Sequence, residues 1–144
     1  GVTSEDIEWT AKILQFCIKY AHLNNCVYCY RQQEESITHN ITANSVKQLY
    51  ENICKSLSQC DSNSENYEYI LHYLAYQYIT LLNLYVLLVF DNKEIKHDVK
   101  SIKWMLKYDR YRKVHIVNVF NTVFGFNIMI IVLKIFLSLR KTTR

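Results

Sequence analysis

The residues that could carry out metal or acid–base chemistry are scattered along this chain. The five histidines lie on separate segments: His22, His39, His72, His97 and His115. None has a cysteine or carboxylate at the spacing of a metal-binding or nucleophilic motif. Asp98 directly follows His97, but neighbours in sequence point in different directions on a helix. Two glycines are too few for a phosphate-binding loop. The sequence therefore predicts a protein that is not an enzyme, with no catalytic residue, no metal site and no cofactor.

The five cysteines indicate a reducing compartment. Cys26 and Cys29 form a Cys-x-x-Cys pair, but a zinc site needs a second pair at ligand spacing, and Cys54 and Cys60 stand six positions apart. Cys17 lies on the apolar face of a predicted helix, where a small buried thiol is typical. An odd number of cysteines, with no recognisable signal peptide, fits reduced structural thiols and a cytoplasmic location.

Composition predicts an all-α protein. Half of the 144 residues are hydrophobic, 21% are charged, proline is absent and glycine occurs twice. A disordered chain is not this apolar, and β-sandwiches need turn residues that are almost missing here. We expect residues 1–144 to form a single-domain helical bundle of about six or seven helices around a long apolar central helix.

Apolar residues recur at helical spacing in several segments. This spacing predicts an amphipathic helix over 7–23 and a shorter helix over 26–35. Ser45 begins a capping box ahead of another amphipathic helix. Asp91 is the expected N-cap of a basic helix over 93–113.

Two stretches carry no formal charge, 70–90 and 114–133. Each is long enough to cross a bilayer. Three asparagines in the second stretch would be costly against lipid, and a hairpin would place the basic segment 91–113 and the basic C-terminal residues on opposite sides. We therefore favour both stretches as core helices of a bundle. A C-terminal membrane-associating helix over 114–139 and a protein with two membrane spans stay open as alternatives.

The net charge of +4 conceals two halves of opposite sign. Residues 1–90 hold 5 Lys/Arg and 9 Asp/Glu, a net of −4, whereas residues 91–144 hold 12 and 4, a net of +8. The basic half could meet nucleic acid, lipid headgroups or the acidic half of the same chain. Four carboxylates dilute the basic segment, so a solvated helix face is favoured and nucleic-acid binding is disfavoured.

The predicted helices follow a recognisable order. An amphipathic first helix and shorter helices precede the uncharged stretch 70–90, and 124–144 is an apolar tail with a basic end. This layout resembles the Bcl-2 fold, particularly its highly diverged poxviral members. Of that family's Asn-Trp-Gly-Arg signature only the glycine has a counterpart, in 123–126, and the Leu-x-x-x-Gly-Asp signature is absent. The resemblance therefore covers helical layout and composition, and no residue role is carried over by motif.

The resemblance implies that the protein captures a helix in an apolar groove between its own helices. The residues expected to line this groove are Leu49, Ile53, Leu57, Tyr69, Tyr73 and Tyr76. For each of them the alternative is a place in the core. The implied partner is an amphipathic helix of a host protein, such as a pro-apoptotic one, and a homodimer is also allowed. The implied function is inhibition of host apoptosis or innate signalling, in the cytoplasm or at a mitochondrial or other intracellular membrane.

A different function is open on the same sequence. The two uncharged stretches also fit a membrane-embedded or tail-anchored helical subunit. Solubility of the full chain without detergent separates this alternative from a soluble interaction protein.

Overall fold

The regular elements of the computed structural model, which describes residues 6–19, 21 and 42–142, are all helical. They are α1 (Asp6–Phe16), α2 (Ala43–Gln59), α3 (Tyr67–Leu88), α4 (Lys93–Ser101), a 3-10 turn (Lys103–Lys107) and α5 (Arg112–Thr142). The all-α prediction is therefore confirmed. The described residues form five α-helices, fewer than the six or seven predicted, and the short helix predicted over 26–35 lies outside them.

α3 holds the bundle together. Its ten buried residues spread over about half of the helix circumference, wider than the stripe of roughly 100° that a surface helix buries. α1, α2, α4, the 3-10 turn and α5 all contact α3. The uncharged stretch 70–90 is thus the central helix of the bundle, as the sequence predicts.

α1 is shorter than the sequence predicts. The periodicity favours a helix to about Leu23, but α1 ends at Phe16 and the Ile18 side chain is 91% exposed. The Asn66 side chain, in the loop before α3, donates hydrogen bonds to the backbone oxygens of Cys17 (3.0 Å) and Gln15 (3.5 Å). A neighbouring loop therefore satisfies carbonyl groups that a further helical turn would otherwise have paired.

Two helices begin at other residues than predicted. At the start of α2 the Thr42 backbone N–H donates to the Ser45 hydroxyl oxygen at 3.2 Å, so Thr42 is the N-cap and Ser45 stands three residues later. At the start of α4 the Asn92 side chain accepts from the Ile95 backbone N–H at 3.1 Å, in place of Asp91. Both asparagine and aspartate cap well, so composition alone does not choose between adjacent candidates.

The basic helix predicted over 93–113 is broken. α4 ends at Ser101, and a 3-10 turn follows from Lys103. A 3-10 turn has three residues per turn, so Ile102 and Met105 fall on the same side, and both are buried against the core. Both apolar side chains are thus removed from water at the break.

α5 covers a further side of α3. Its buried residues are Val114, Phe126, Met129 and Ile130. Gly125, in the middle, has φ 78° and ψ 165°, outside the helical region, so α5 consists of two helical segments, 112–124 and 126–142. Only glycine adopts this backbone conformation without strain. Each segment buries residues in the bundle, Val114 from the first and Phe126, Met129 and Ile130 from the second.

The hydroxyl of Tyr78, a fully buried residue at the centre of α3, supports the end of α4. It donates a 2.8 Å hydrogen bond to the Val99 backbone oxygen, one of the last carbonyls of α4. We predict that Tyr78→Phe lowers the free energy of unfolding by about 1–3 kcal/mol, because the Val99 carbonyl loses its partner in the core. Urea denaturation followed by circular dichroism measures this loss. Tyr111→Phe, at an exposed tyrosine, is the matched control, and equal losses in both variants would contradict the prediction.

Candidate interaction surfaces

The residues predicted to line a groove fall into two groups. On α2, Leu49 and Ile53 are fully buried in the core, and Leu57 is half-buried and packs against it. On α3, Tyr69 and Tyr76 are exposed. The structure therefore does not join the α2 and α3 residues in one groove, because the apolar stripe of α2 is used up in packing within the bundle.

Two of the predicted tyrosines do line a groove, but with a different partner helix. Tyr69 and Tyr73 of α3 form one wall of a groove of about 710 Å³, and residues of α1 and of the segment before α5 form the others. Its other lining residues include Leu14, Ile18, His72 and Arg110. The α1 residues were not predicted, because their spacing matches an ordinary buried helix face.

Cations lie over two aromatic rings, Tyr69 in the groove and Tyr76 next to the groove residue Tyr111. The Arg110 guanidinium carbon is 5.6 Å from the centre of the Tyr69 ring, and the Lys113 ammonium nitrogen is 5.8 Å from that of Tyr76. The Tyr76 and Tyr111 rings are 5.4 Å apart. This rim combines apolar contact area with positive charge, an arrangement that suits an apolar ligand carrying a carboxylate.

His72, on the groove wall, has a polar contact at only one of its two ring nitrogens. Its Nε2 atom lies 3.6 Å from a Glu68 carboxylate oxygen, and its ring meets that of Tyr108 edge to face at 5.7 Å. Its buried Nδ1 atom has no hydrogen-bond partner in the described part of the chain. His72 therefore adds a polar ring to the groove wall beside the cationic rim.

α5 presents a second, larger surface. Eleven of its large apolar side chains are at least 36% exposed: Ile116, Val119, Phe120, Val123, Phe124, Ile128, Ile131, Val132, Ile135, Phe136 and Leu139. We call this surface the outer face of α5. It lies opposite the side that packs on α3.

α3 and α5 are both long and apolar enough, by length and composition, to cross a membrane, but they differ in how much of each is buried in the bundle. In the most apolar 18-residue window of α3, mean hydropathy 1.2, 56% of the residues are buried. In the most apolar window of α5, mean hydropathy 2.2, only 17% of the residues are buried. α3 is therefore a core helix, as preferred from the sequence, whereas α5 contributes one side to the core and leaves the other side exposed.

Only one of the three asparagines of α5 is exposed, so the other two would not face lipid if the outer face of α5 contacted a membrane. Asn118 donates to the Asp109 carboxylate at 3.1 Å, and the buried Oδ1 atom of Asn121 has no hydrogen-bond partner among the described residues. Both lie on the side of α5 that faces the bundle, since they are spaced around Val114 and are only partly exposed. Asn127 is exposed, at the flank of the outer face.

The basic surface of α4 and the 3-10 turn has few free aromatic rings. Trp104 meets Tyr108 edge to face at 6.2 Å, and Tyr108 also contacts His72. The Trp104 ring is thus fixed against the bundle, and 39% of this residue stays exposed. This arrangement agrees with a solvated basic face, and the absence of nucleic-acid binding stays a prediction.

Within residues 6–19, 21 and 42–142, no group of three or more His, Cys, Asp or Glu side chains could hold a metal ion. Cys17, Cys54 and Cys60 are free thiols, and burial raises the pKa of Cys54 and of Cys60, which disfavours reactive thiolates. Cys26 and Cys29 lie outside the described residues.

Comparisons of the chain with protein-family models, with curated proteins and with solved structures found no match. Any function has to be argued from the surfaces themselves, the groove between α1 and α3 and the outer face of α5. Fold class alone does not assign a function, since one fold serves many.

Asp109 ties the start of α5 to the preceding segment. Hydrogen bonding from Asn118, and secondly from His115 at 2.9 Å, holds the pKa of the Asp109 carboxyl below its ordinary value of 3.8. A lowered carboxyl pKa stabilises the fold above the ordinary pKa, and this contribution disappears as the pH falls through the lowered value. We predict that Asn118→Ala raises the pKa of Asp109 towards 3.8, and more than His115→Ala does.

Carbon-13 NMR of the Asp109 carboxyl group, titrated with acid, measures this change. Thr122→Ala is the matched control on the same helix, because its hydroxyl donates to the Asn118 backbone oxygen and not to Asp109. An unchanged Asp109 titration in Asn118→Ala would show that this hydrogen bond does not form in solution.

Proposed function

We propose that this chain is a non-enzymatic helical interaction protein that associates with a membrane through the outer face of α5. The observation that carries the proposal is the exposure of eleven large apolar side chains along one helix. Soluble monomeric proteins rarely expose contiguous apolar patches beyond a few hundred Å², and larger ones mark protein or membrane contacts. Removal of such a face from water is strongly favourable, at about 25 cal/mol per Å² of apolar surface.

The charges around this face favour a lipid surface over a protein surface as its contact. Aspartate and glutamate are absent from position 110 to the end of the chain, whereas Arg112, Lys113 and Arg140 flank the outer face. Basic residues beside an apolar helix face are attracted to anionic lipid headgroups, each by about 1 kcal/mol. We place the protein on the cytoplasmic side of an intracellular membrane, as a tail-anchored or peripheral helical subunit.

Flotation with vesicles of phosphatidylcholine and phosphatidylserine tests this proposal. We predict that the full chain binds these vesicles and that the double variant Val123→Gln, Ile135→Gln binds about 30-fold more weakly. The loss follows from about 1 kcal/mol for each half-buried apolar side chain that no longer enters the lipid.

The matched control is Ile13→Gln with Phe16→Gln, at two exposed apolar residues of α1. Binding of this control should equal that of the unmodified chain. If both double variants lose binding equally, general stickiness explains the interaction. If the unmodified chain does not bind, the proposal is wrong.

We also propose a second candidate, capture of an amphipathic partner helix in the groove between α1 and α3, as a Bcl-2-like inhibitor would do. The placement of Tyr69 and Tyr73 in this groove, with Arg110 at its rim, favours it. A partner helix would insert apolar side chains at i, i+3 or i+4 and i+7 between the tyrosines, and Arg110 would pair with an acidic residue beside them. Such a partner includes the amphipathic helices of pro-apoptotic and signalling proteins of a host.

Binding of amphipathic helical peptides with an acidic residue beside their apolar anchors tests this second candidate. We predict that Tyr73→Ala and Arg110→Glu each weaken binding about tenfold or more, since they remove an aromatic wall and reverse the rim charge. Trp104→Ala, at an exposed aromatic residue outside the groove, is the matched control. Fluorescence anisotropy measures the Kd, and absence of binding to any such peptide would exclude the candidate.

A further inference from the structure

We infer that α5 lies flat in the interface of one membrane leaflet while it stays docked on α3, and does not cross the bilayer. This inference rests on the proposed membrane association and specifies its geometry. Three observations carry it: the inner side of α5, the backbone at Gly125 and the positions of the cations.

The inner side of α5 is already occupied by protein. Phe126, Met129 and Ile130 are buried against the bundle, and the exposed residues Ile128 and Ile135 lie on the opposite side of the same helix. A helix that crossed the bilayer alone would have to leave α3 and expose the core of the bundle to water. A helix that stays on α3 can bury only its outer face in lipid, which is the geometry of a monotopic protein.

Gly125 interrupts α5 near its middle, at an exposed position. A Cβ atom placed there would have no atom within 4 Å, so the non-helical backbone faces outward. At the centre of a bilayer such backbone would lack hydrogen-bond partners, which costs several kcal/mol per group. At the depth of the headgroups, water can reach it.

The two helical segments are also short for a crossing. Segment 112–124 has 13 residues and segment 126–142 has 17. At 1.5 Å per residue they measure about 20 and 26 Å, less than the ~30 Å hydrocarbon core.

The cations of α5 fit a single leaflet. A crossing would place Arg112 and Lys113 on one side of the membrane and Arg140 on the other, whereas the flat orientation holds all three at one depth among headgroups. Lys134, between them, has its ammonium nitrogen 3.8 Å from the centre of the Phe90 ring, in the loop after α3. The charge is thus held at the edge of the bundle by a cation–π contact that a crossing α5 would break.

Tryptophan depth measurements test the inference on the full chain. In a background with Trp9→Phe and Trp104→Phe, single tryptophans are introduced as Ile116→Trp, Ile128→Trp and Leu139→Trp. Vesicles of phosphatidylcholine and phosphatidylserine carry bromine either near the headgroup end or near the methyl end of the acyl chain. We expect the same ratio of shallow to deep quenching at all three positions, with shallow quenching stronger. A crossing helix would give deep quenching for Ile128→Trp alone.

The control retains Trp9 and carries only Trp104→Phe, because Trp9 is exposed on α1 and should stay in water, unquenched by either lipid. All three introduced positions are exposed, and circular dichroism checks their folding. If one variant misfolds, the exposed neighbours Val119 and Ile131 replace it.

Flotation of the same samples separates the two levels of the proposal. Binding with equal shallow quenching supports both membrane association and the flat orientation. Binding with deep quenching of Ile128→Trp overturns the flat orientation and leaves membrane association standing. No binding, with sedimentation showing a stable dimer, overturns both and assigns the outer face of α5 to a second copy of the chain.

Discussion

The broad apolar face of α3 has to be removed from water, and the positions of the other helices follow from that requirement. A helix that buries half of its circumference needs several neighbours, and every other helix of the described chain contacts it. Its two fully buried tyrosines further restrict the packing, because a hydroxyl group in the core needs a hydrogen-bond acceptor nearby. Tyr78 finds it in the Val99 carbonyl and Tyr85 in the Phe90 carbonyl, both at 2.8 Å. These bonds tie the loop after α3 and the end of α4 to the central helix.

The surfaces that can act on other molecules lie where this burial ends. α5 covers α3 with one side, and no further described helix covers its other side. The groove beside Tyr69 and Tyr73 lies on the half of α3 that the core does not use. Each surface is thus a remainder of core packing, and each keeps apolar side chains in contact with water. Both proposed contact surfaces therefore follow from the way the core is packed.

Periodicity predicted the helices well and their ends poorly. A helix end depends on which polar groups lie near it in space. Asn66, in a loop that is distant in sequence, donates to the Cys17 carbonyl where α1 ends, before Ile18. Capping by Asn92 instead of Asp91 is a choice between neighbours of similar propensity. The residues predicted to line the groove are divided between core and surface for a related reason. An apolar stripe such as that of Leu49 and Ile53 shows that a helix has a contact face, and it does not show whether the contact is the core or a partner.

The sequence by itself determined the helical class, the two uncharged stretches and the absence of acidic residues after position 109. Those properties depend only on residue types and their spacing along the chain, so they do not require knowledge of which residues meet in space. Only the tertiary structure decided that α3 is buried and α5 is half-exposed, although α5 is the more apolar of the two. Mean hydropathy averages the residues on all faces of a helix, whereas burial depends on which other helices pack against each face. The bundle supplies neighbours for one side of α5, and the apolar side chains of the other side stay exposed.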